Sequence, residues 1–217
     1  MYYRQRWYNQ VYNWEKILLF VALATAAVTA AFGQVKETFD SNSWQWTEYS
    51  TQLGRAYIID GVMRLESKSD KDETTLDEMV GSVATHAFLP MDPAKGFDLK
   101  CTATLEKFEG KKMFGIILDY IDDMNCIVFM IKGDCAWLYK MKEGKIVGQQ
   151  KNQFKLQKGK KNTALDIQVV YMGGELEFRV NDVQALMCKY IPITSNGFGF
   201  FAFGKCKVDF DDVEILN

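Results

Sequence analysis

From Glu37 onward apolar residues recur at every second position and turn residues interrupt at short intervals, the period of a pleated strand and not of a helix. The stretch from Phe178 to Asn217 shows this most clearly. Three short apolar runs are cut by turn signals at Asn181-Asp182 and Asn196-Gly197, and a break at Gly204-Lys205 precedes a closing run that ends in Asp211-Asp212-Val213-Glu214-Ile215. A chain without helices can bury such faces only by stacking sheet on sheet. The pattern predicts strands over 44–48, 56–59, 62–67, 81–88, 97–108, 113–119, 126–132, 136–141, 163–171, 175–181, 197–203 and 207–216. Ile59-Asp60-Gly61-Val62 and Met172-Gly173-Gly174-Glu175 read as tight hairpins, because their central residues tolerate positive φ. About a dozen strands exceed a seven-stranded sandwich and suit an all-β, two-sheet antiparallel jelly roll.

The N-terminus does not belong to that pattern. Arg4, Arg6 and Lys16 precede an uncharged run from Ile17 to Val35, and Ala31-Phe32-Gly33 offers small residues before Gln34. This reads as a signal peptide over 1–33, followed by one domain over 34–217, so the expected destination is secreted or periplasmic. A spanning helix needs roughly 20 strongly apolar residues. This run is rich in Ala and Thr, so no membrane span is expected after cleavage. Loss of the leader moves the net charge from −2 to about −4, and the Lys residues are spread among turns, so no nucleic-acid partner is expected.

All five cysteines (Cys101, Cys126, Cys135, Cys188, Cys206) fall after the leader, and none forms a C-x-x-C pair. They read mainly as buried thiols, with a disulfide between Cys126 and Cys135 conceivable across a turn. The single histidine, His86, excludes a His-based metal cluster and reads as a packed or half-exposed strand residue. The charged run from Lys68 to Glu78 reads as a surface loop. Near Asp211-Asp212 the alternation changes phase, since Val208 and Phe210 share one face and Val213 and Ile215 the next; a β-bulge would explain this.

Phe39-Asp40 with Trp44, Asp60-Gly61 before Val62-Met63-Arg64-Leu65, Phe97-Asp98-Leu99, Phe178-x-Val180-Asn181, Gly197-Phe198-Gly199-Phe200 and the closing Val208-to-Ile215 run together resemble the concanavalin A-like lectin/glucanase superfamily. Within it, the chain is similar to secreted bacterial 3-keto-disaccharide hydrolase (family 16-like) domains. The resemblance reports fold, since members include enzymes, sugar binders and modules without a known ligand. It implies that a structural Ca²⁺ would join Asp40 to Asp211 or Asp212, against the alternative of plain solvated carboxylates. The Glu-x-Asp-x-x-Glu string of the superfamily's glucanases is absent. Its nearest approach is Asp209-x-Asp211-x-x-Glu214, on the fold-building last strand.

Aromatic faces that stack on pyranose rings make Trp44, Trp46, Tyr120, Trp137 and Tyr139 the ligand-binding candidates, with Asp119, Asn125 and Glu177 as polar partners. Trp137, Tyr139 and Met141 share a strand face, and so by alternation do Phe114, Ile116, Leu118 and Tyr120. The reading that follows is an exported carbohydrate-binding module, non-catalytic, whose partner is a glycan. One alternative is a glycosidase-like hydrolase of (3-keto-)glycosides using carboxylates from Asp119, Glu175 and Glu177, and another is a structural or protein-interaction sandwich.

Overall fold

The computed structural model describes residues 34–69, 82–106, 112–154, 163–189 and 191–216. The expected leader, most of the charged loop after Lys68 and the Lys-rich turn at 158–161 lie outside them. The compact unit runs from Val35 to Asn217.

Its strands are β1 (Val35–Glu37), β2 (Tyr49–Ser50), β3 (Gly54–Ile59), β4 (Val62–Ser67), β5 (Val83–Phe88), β6 (Phe97–Leu105), β7 (Met113–Asp122), β8 (Asn125–Lys132), β9 (Cys135–Lys142), β10 (Lys145–Gln153), β11 (Thr163–Met172), β12 (Glu175–Val180), β13 (Val183–Lys189), β14 (Gly197–Phe203) and β15 (Cys206–Leu216). A single 3-10 turn at Pro93–Lys95 is the only helical element among the described residues. All pairings are antiparallel and form two sheets, one ordered β13-β12-β11-β6-β15-β4-β3-β2 with β1 added beside β15, the other β10-β9-β8-β7-β14-β5. The protein is an all-β jelly-roll sandwich, as the alternation predicts.

The core lies between the sheets. Phe114, Ile116, Leu118 and Phe129 from the six-stranded sheet meet Met63, Leu65, Leu99 and Phe178 from the nine-stranded one. Phe200 stacks on Phe210 at 4.1 Å and Phe129 on Phe178 at 4.3 Å, so aromatic pairs tie the layers together. β14 is buried along its whole length, which accounts for the apolar residues on both its faces. The outer side of the nine-stranded sheet is polar, and there Arg64 donates two hydrogen bonds to Asp209, at 2.7 and 2.8 Å.

Both expected tight turns form, with positive φ at Asp60 and Gly61 and at Gly173 and Gly174. Two further turns of the same kind, Glu143-Gly144 and Asn181-Asp182, close β9–β10 and β12–β13. The bulge expected near Asp211-Asp212 is present. The β15–β6 register shifts between Asp211 and Glu214, and Asp212 adopts φ 51°.

Several elements differ from expectation. Residues 44–48 are irregular, because the Asn42 side chain accepts from Trp46 N (2.6 Å) and donates to Trp46 O (2.9 Å), taking the place of a neighbouring strand. β10 escapes the alternation rule because it is an edge strand with no buried position and a register shift at Ile146/Gly148. β1, β2 and β13 are additional strands beyond those predicted. The cysteines are all free. Cys126 and Cys135 open β8 and β9 at opposite ends of their hairpin, Cys126 facing Met141 and Cys135 facing Lys132, which puts them about 20 Å apart and beyond disulfide reach.

Candidate functional site

β7 builds the site through an irregularity that alternation does not reveal. Between Leu118 and Asp122 its register to β8 shifts, and Asp119 adopts φ 50°. That bulge changes the phase of the strand. Phe114, Ile116 and Leu118 face the core, whereas Tyr120 turns to the outer face of the six-stranded sheet, which corrects the expectation that all four share a side. The strained residue is locked in place. Asp119 is buried, and its Oδ1 accepts from Thr194 N (2.7 Å), Thr194 Oγ1 (3.0 Å) and Ser195 N (2.7 Å). Ser195 Oγ in turn donates to Tyr120 O at 2.7 Å.

The outer face onto which Tyr120 turns carries a second apolar cluster that includes Met113, Ile117, Val128, Met130, Phe201 and Phe203. Antiparallel pairing aligns His86, Gly199, Ile117, Val128 and Tyr139 in one cross-strand row, and Ala84, Phe201, Gly115, Met130 and Trp137 in the next. At the β5 side of these rows lies a cavity of about 520 Å³, walled by Ile117, Val128, Met141 and Phe201, with Thr47, Tyr49, His86, Tyr120 and Asp123 supplying polar atoms. An apolar floor with a few converging polar groups is the usual make-up of a small-ligand site.

The polar groups are arranged as pairs. The Tyr120 ring stacks on the His86 ring at 4.2 Å and 26°. The Tyr120 hydroxyl donates to Asp123 Oδ1 at 3.0 Å, and His86 Nε2 lies 3.4 Å from Thr47 Oγ1. Burial, and then the Asp123 hydrogen bond, push the Tyr120 phenol up to about 12. Burial lowers the His86 imidazole below its ordinary value, with the Asp123 charge opposing it. Burial also lifts the Cys126 thiol to about 12, so at neutral pH this wall offers a thiol and not a thiolate. The site therefore presents a neutral phenol, a neutral imidazole and one exposed carboxylate. That set suits hydrogen bonding to hydroxyl groups.

The sequence-derived candidates are scattered by the fold. Tyr120 lines the cavity. Trp137 and Tyr139 lie on the same outer face, parallel within 6° and 6.0 Å apart, yet Tyr139 is buried and Lys151 Nζ sits 4.3 Å over the Trp137 ring. Trp46 belongs to the core, stacked on Phe200 at 5.1 Å and 11°, so its ring has no face for a ligand. Trp44 is half-buried beside it at 6.4 Å. Asp119 holds the 194–195 backbone. Glu175 pairs with Lys189 at 3.5 Å and Glu177 with Arg179 at 2.9 Å, both on the outer side of the nine-stranded sheet and so remote from Tyr120. Asn125 bonds to Asp122 (2.8 Å) and to Glu143 N (3.0 Å), joining two hairpins.

At the chain-end corner, Asp40 accepts from Thr38 Oγ1 at 2.8 Å and Asp211 from Asp212 N at 2.7 Å. Asp212 faces the Lys36 ammonium at 2.7 Å, and Glu214 shares it at 3.4 Å. Among the described residues no group of three or more His, Cys, Asp or Glu is placed to hold a metal ion. Of the three carboxylates expected to hold Ca²⁺, Asp212 is the one already paired with a lysine.

Alternation singled out neither His86 as a site residue nor Tyr49 and Asp123. Their roles arise from the Asp119 bulge and from the irregular path of 44–48, which brings Thr47 N to His86 O at 3.1 Å and Thr47 O to Thr85 Oγ1 at 2.7 Å.

No family model matches the sequence, and no curated protein matches it in sequence. In structure the chain is similar to a Bacillus licheniformis β-glucanase, at 10% identity over 85% of this chain and 98% of that chain, with a TM-score of 0.58. It is also similar to a Bacillus subtilis protein of unknown function with a galectin-like fold, at 11% identity over 84% and 94%, TM-score 0.56. A third similarity is to the Bacteroides ovatus chain described as Xyloglucan PUL GH43B, at 13% identity over 83% and 38%, TM-score 0.54. At these identities the likeness is one of fold. The chain shares the two-sheet antiparallel sandwich of these proteins.

Proposed function

We propose that the protein is an exported, non-catalytic carbohydrate-binding module whose glycan site is the cavity beside Tyr120 and His86. The observation that carries this reading is the Tyr120–Asp123 hydrogen bond at the edge of an apolar hollow, with the His86 ring backing the phenol. Apolar walls suit the C–H faces of a pyranose, and the phenol, imidazole, Thr47 hydroxyl and Asp123 carboxylate suit its hydroxyls. The similarity in fold to a protein named as a β-glucanase adds support by analogy.

A non-catalytic role is favoured by where the carboxylates are spent. Glycoside hydrolysis uses two carboxyl groups about 5–9.5 Å apart across one bond. Here Asp119 is tied to Thr194 and Ser195, while Glu175 and Glu177 pair with cations on the other sheet. Among the described residues lining the cavity, Asp123 is the one carboxylate.

Calorimetric titration of the mature chain with glycans chosen from an array tests the reading. Binding is expected, and Asp123→Asn and Tyr120→Phe should each weaken it about tenfold, the scale of a hydrogen bond to a charged group. A blank array would overturn it. Turnover of glycosides or 3-keto glycosides would convert it into the hydrolase reading. Export rests on the leader, and N-terminal sequencing of the secreted or periplasmic protein should begin at Gln34.

A further inference from the structure

The cavity beside Tyr120 continues past His86. A second hollow of about 550 Å³ lies on the far side, lined by Ser43, Trp44, Gln45, Phe88 and Pro90, and Thr47 and His86 border both. The two hollows therefore meet across the Thr47–His86 contact. Phe88 is the exposed wall of the second one, 56% accessible, and it lies on the same face of β5 as Ala84 and His86.

Trp44 forms the other wall, and its position is rigid although it sits outside any strand. Asn42 O accepts from Gln45 N at 3.2 Å and Asn42 Oδ1 from Trp46 N at 2.6 Å, which fixes the turn that carries the indole. Trp46 and then Phe200 back it, at 6.4 and 5.1 Å between ring centres. An indole supported from behind and an exposed phenyl ring, with the Gln45 amide between, reproduce in the second hollow the apolar-wall and neutral-donor chemistry of the first; the Ser43 hydroxyl, which donates to Glu37 at 2.9 Å, offers only its acceptor side. From Ala84 to Phe88 the face runs about 13 Å along β5, longer than one pyranose ring.

Charge narrows the ligand. Among the described residues lining the two hollows there is no Lys or Arg, and the one acidic group is Asp123. A uronate or sialate carboxylate entering here would meet a like charge with no cation to offset its desolvation.

Resting on the carbohydrate reading, we infer that the two hollows are consecutive subsites for a single uncharged oligosaccharide chain that crosses over His86, with Phe88 and Trp44 as the walls of the outer subsite. Ligand length and neutrality, and not the identity of one terminal sugar, then set affinity.

The experiment is calorimetric titration of the mature chain with neutral gluco- and xylo-oligosaccharides from two to six units, beside oligogalacturonides of the same lengths. The expected result is at least a tenfold gain in affinity from the shortest to the longest neutral ligand, with the oligogalacturonides unbound. Phe88→Ala, an exposed position where folding is not at stake, should cut that gain below threefold. Affinity independent of length, a length gain that survives Phe88→Ala in full, or equal binding of oligogalacturonides would overturn the inference and leave the carbohydrate reading standing. Failure of every glycan to bind would remove both.

Discussion

The imidazole of His86 lies against the phenol of Tyr120, ring centres 4.2 Å apart and planes 26° from parallel. Burial depresses the His86 pKa in the folded chain below the usual 6.5, with Asp123 partly opposing it. The unfolded chain therefore takes up the proton first as pH falls. The stability contributed by the neutral ring is present above pH 6.5 and is lost as pH drops through the lower folded value. Melting temperature should decline between pH 7 and pH 5 more steeply in the wild type than in His86→Gln. Equal slopes would show that the ring does not titrate in this window.

Asp119→Ala should be the most damaging single change at the site. It removes an acceptor of three hydrogen bonds and leaves alanine at φ 50°, a cost of about 2–4 kcal/mol. Urea denaturation should show a lower midpoint, and glycan affinity should fall with it because Tyr120 loses its fixed direction. A folded variant with unaltered affinity would mean that Tyr120 is aimed by other contacts.

The adjacent tryptophans should separate cleanly. Trp46 is buried among Phe39, Phe198 and Phe200, so Trp46→Ala should cost about 3–5 kcal/mol. Trp46→Phe should cost only about 1–2 kcal/mol, since it also deletes a buried indole N–H that has no partner among the described residues. Trp44→Ala should lower stability less than Trp46→Ala and glycan binding more. Thermal melts and titrations on the same samples read both.

At the chain-end corner, burial raises the Asp211 carboxyl above its usual value, and the nearby Asp212 and Asp40 charges add to this. A raised folded pKa means that the stabilising contribution is present below the unfolded value and is lost as pH rises through the folded one. Asp211→Asn should therefore raise the melting temperature at pH 7, and the gain should vanish near pH 3. With Lys36 beside Asp212, EDTA and added CaCl₂ should both leave the wild-type melt unchanged. A drop with EDTA, or a loss on Asp211→Asn in calcium, would assign the corner to a bound cation.

The two bulges show what a sequence reveals and what it hides. At Asp211-Asp212 the apolar phase itself breaks, from Val208 and Phe210 to Val213 and Ile215, so the irregularity is visible before any coordinates. At Asp119 the letters keep their alternation, because Tyr120 is as acceptable in a core as Leu118 is. Only the carboxylate's commitment to Thr194 and Ser195, some 75 residues on, turns the ring outward. Two sheets and their hairpins follow from local periodicity and turn chemistry. The cavity follows from long-range pairing, which periodicity does not encode. Edge strand β10 was hidden for a related reason, since a strand with no buried position has no apolar stripe to display.

β1 and the end of β15 lie side by side, with Val35 opposite Ile215 in the nine-stranded sheet, while the cavity belongs to the other sheet. A short linker could therefore splice the two ends together, and the exposed turn at Gly173-Gly174 could be cut open to serve as new termini. Such a circularly permuted chain should keep the Tyr120–His86 cavity, which lies on the other sheet from both the splice and the cut.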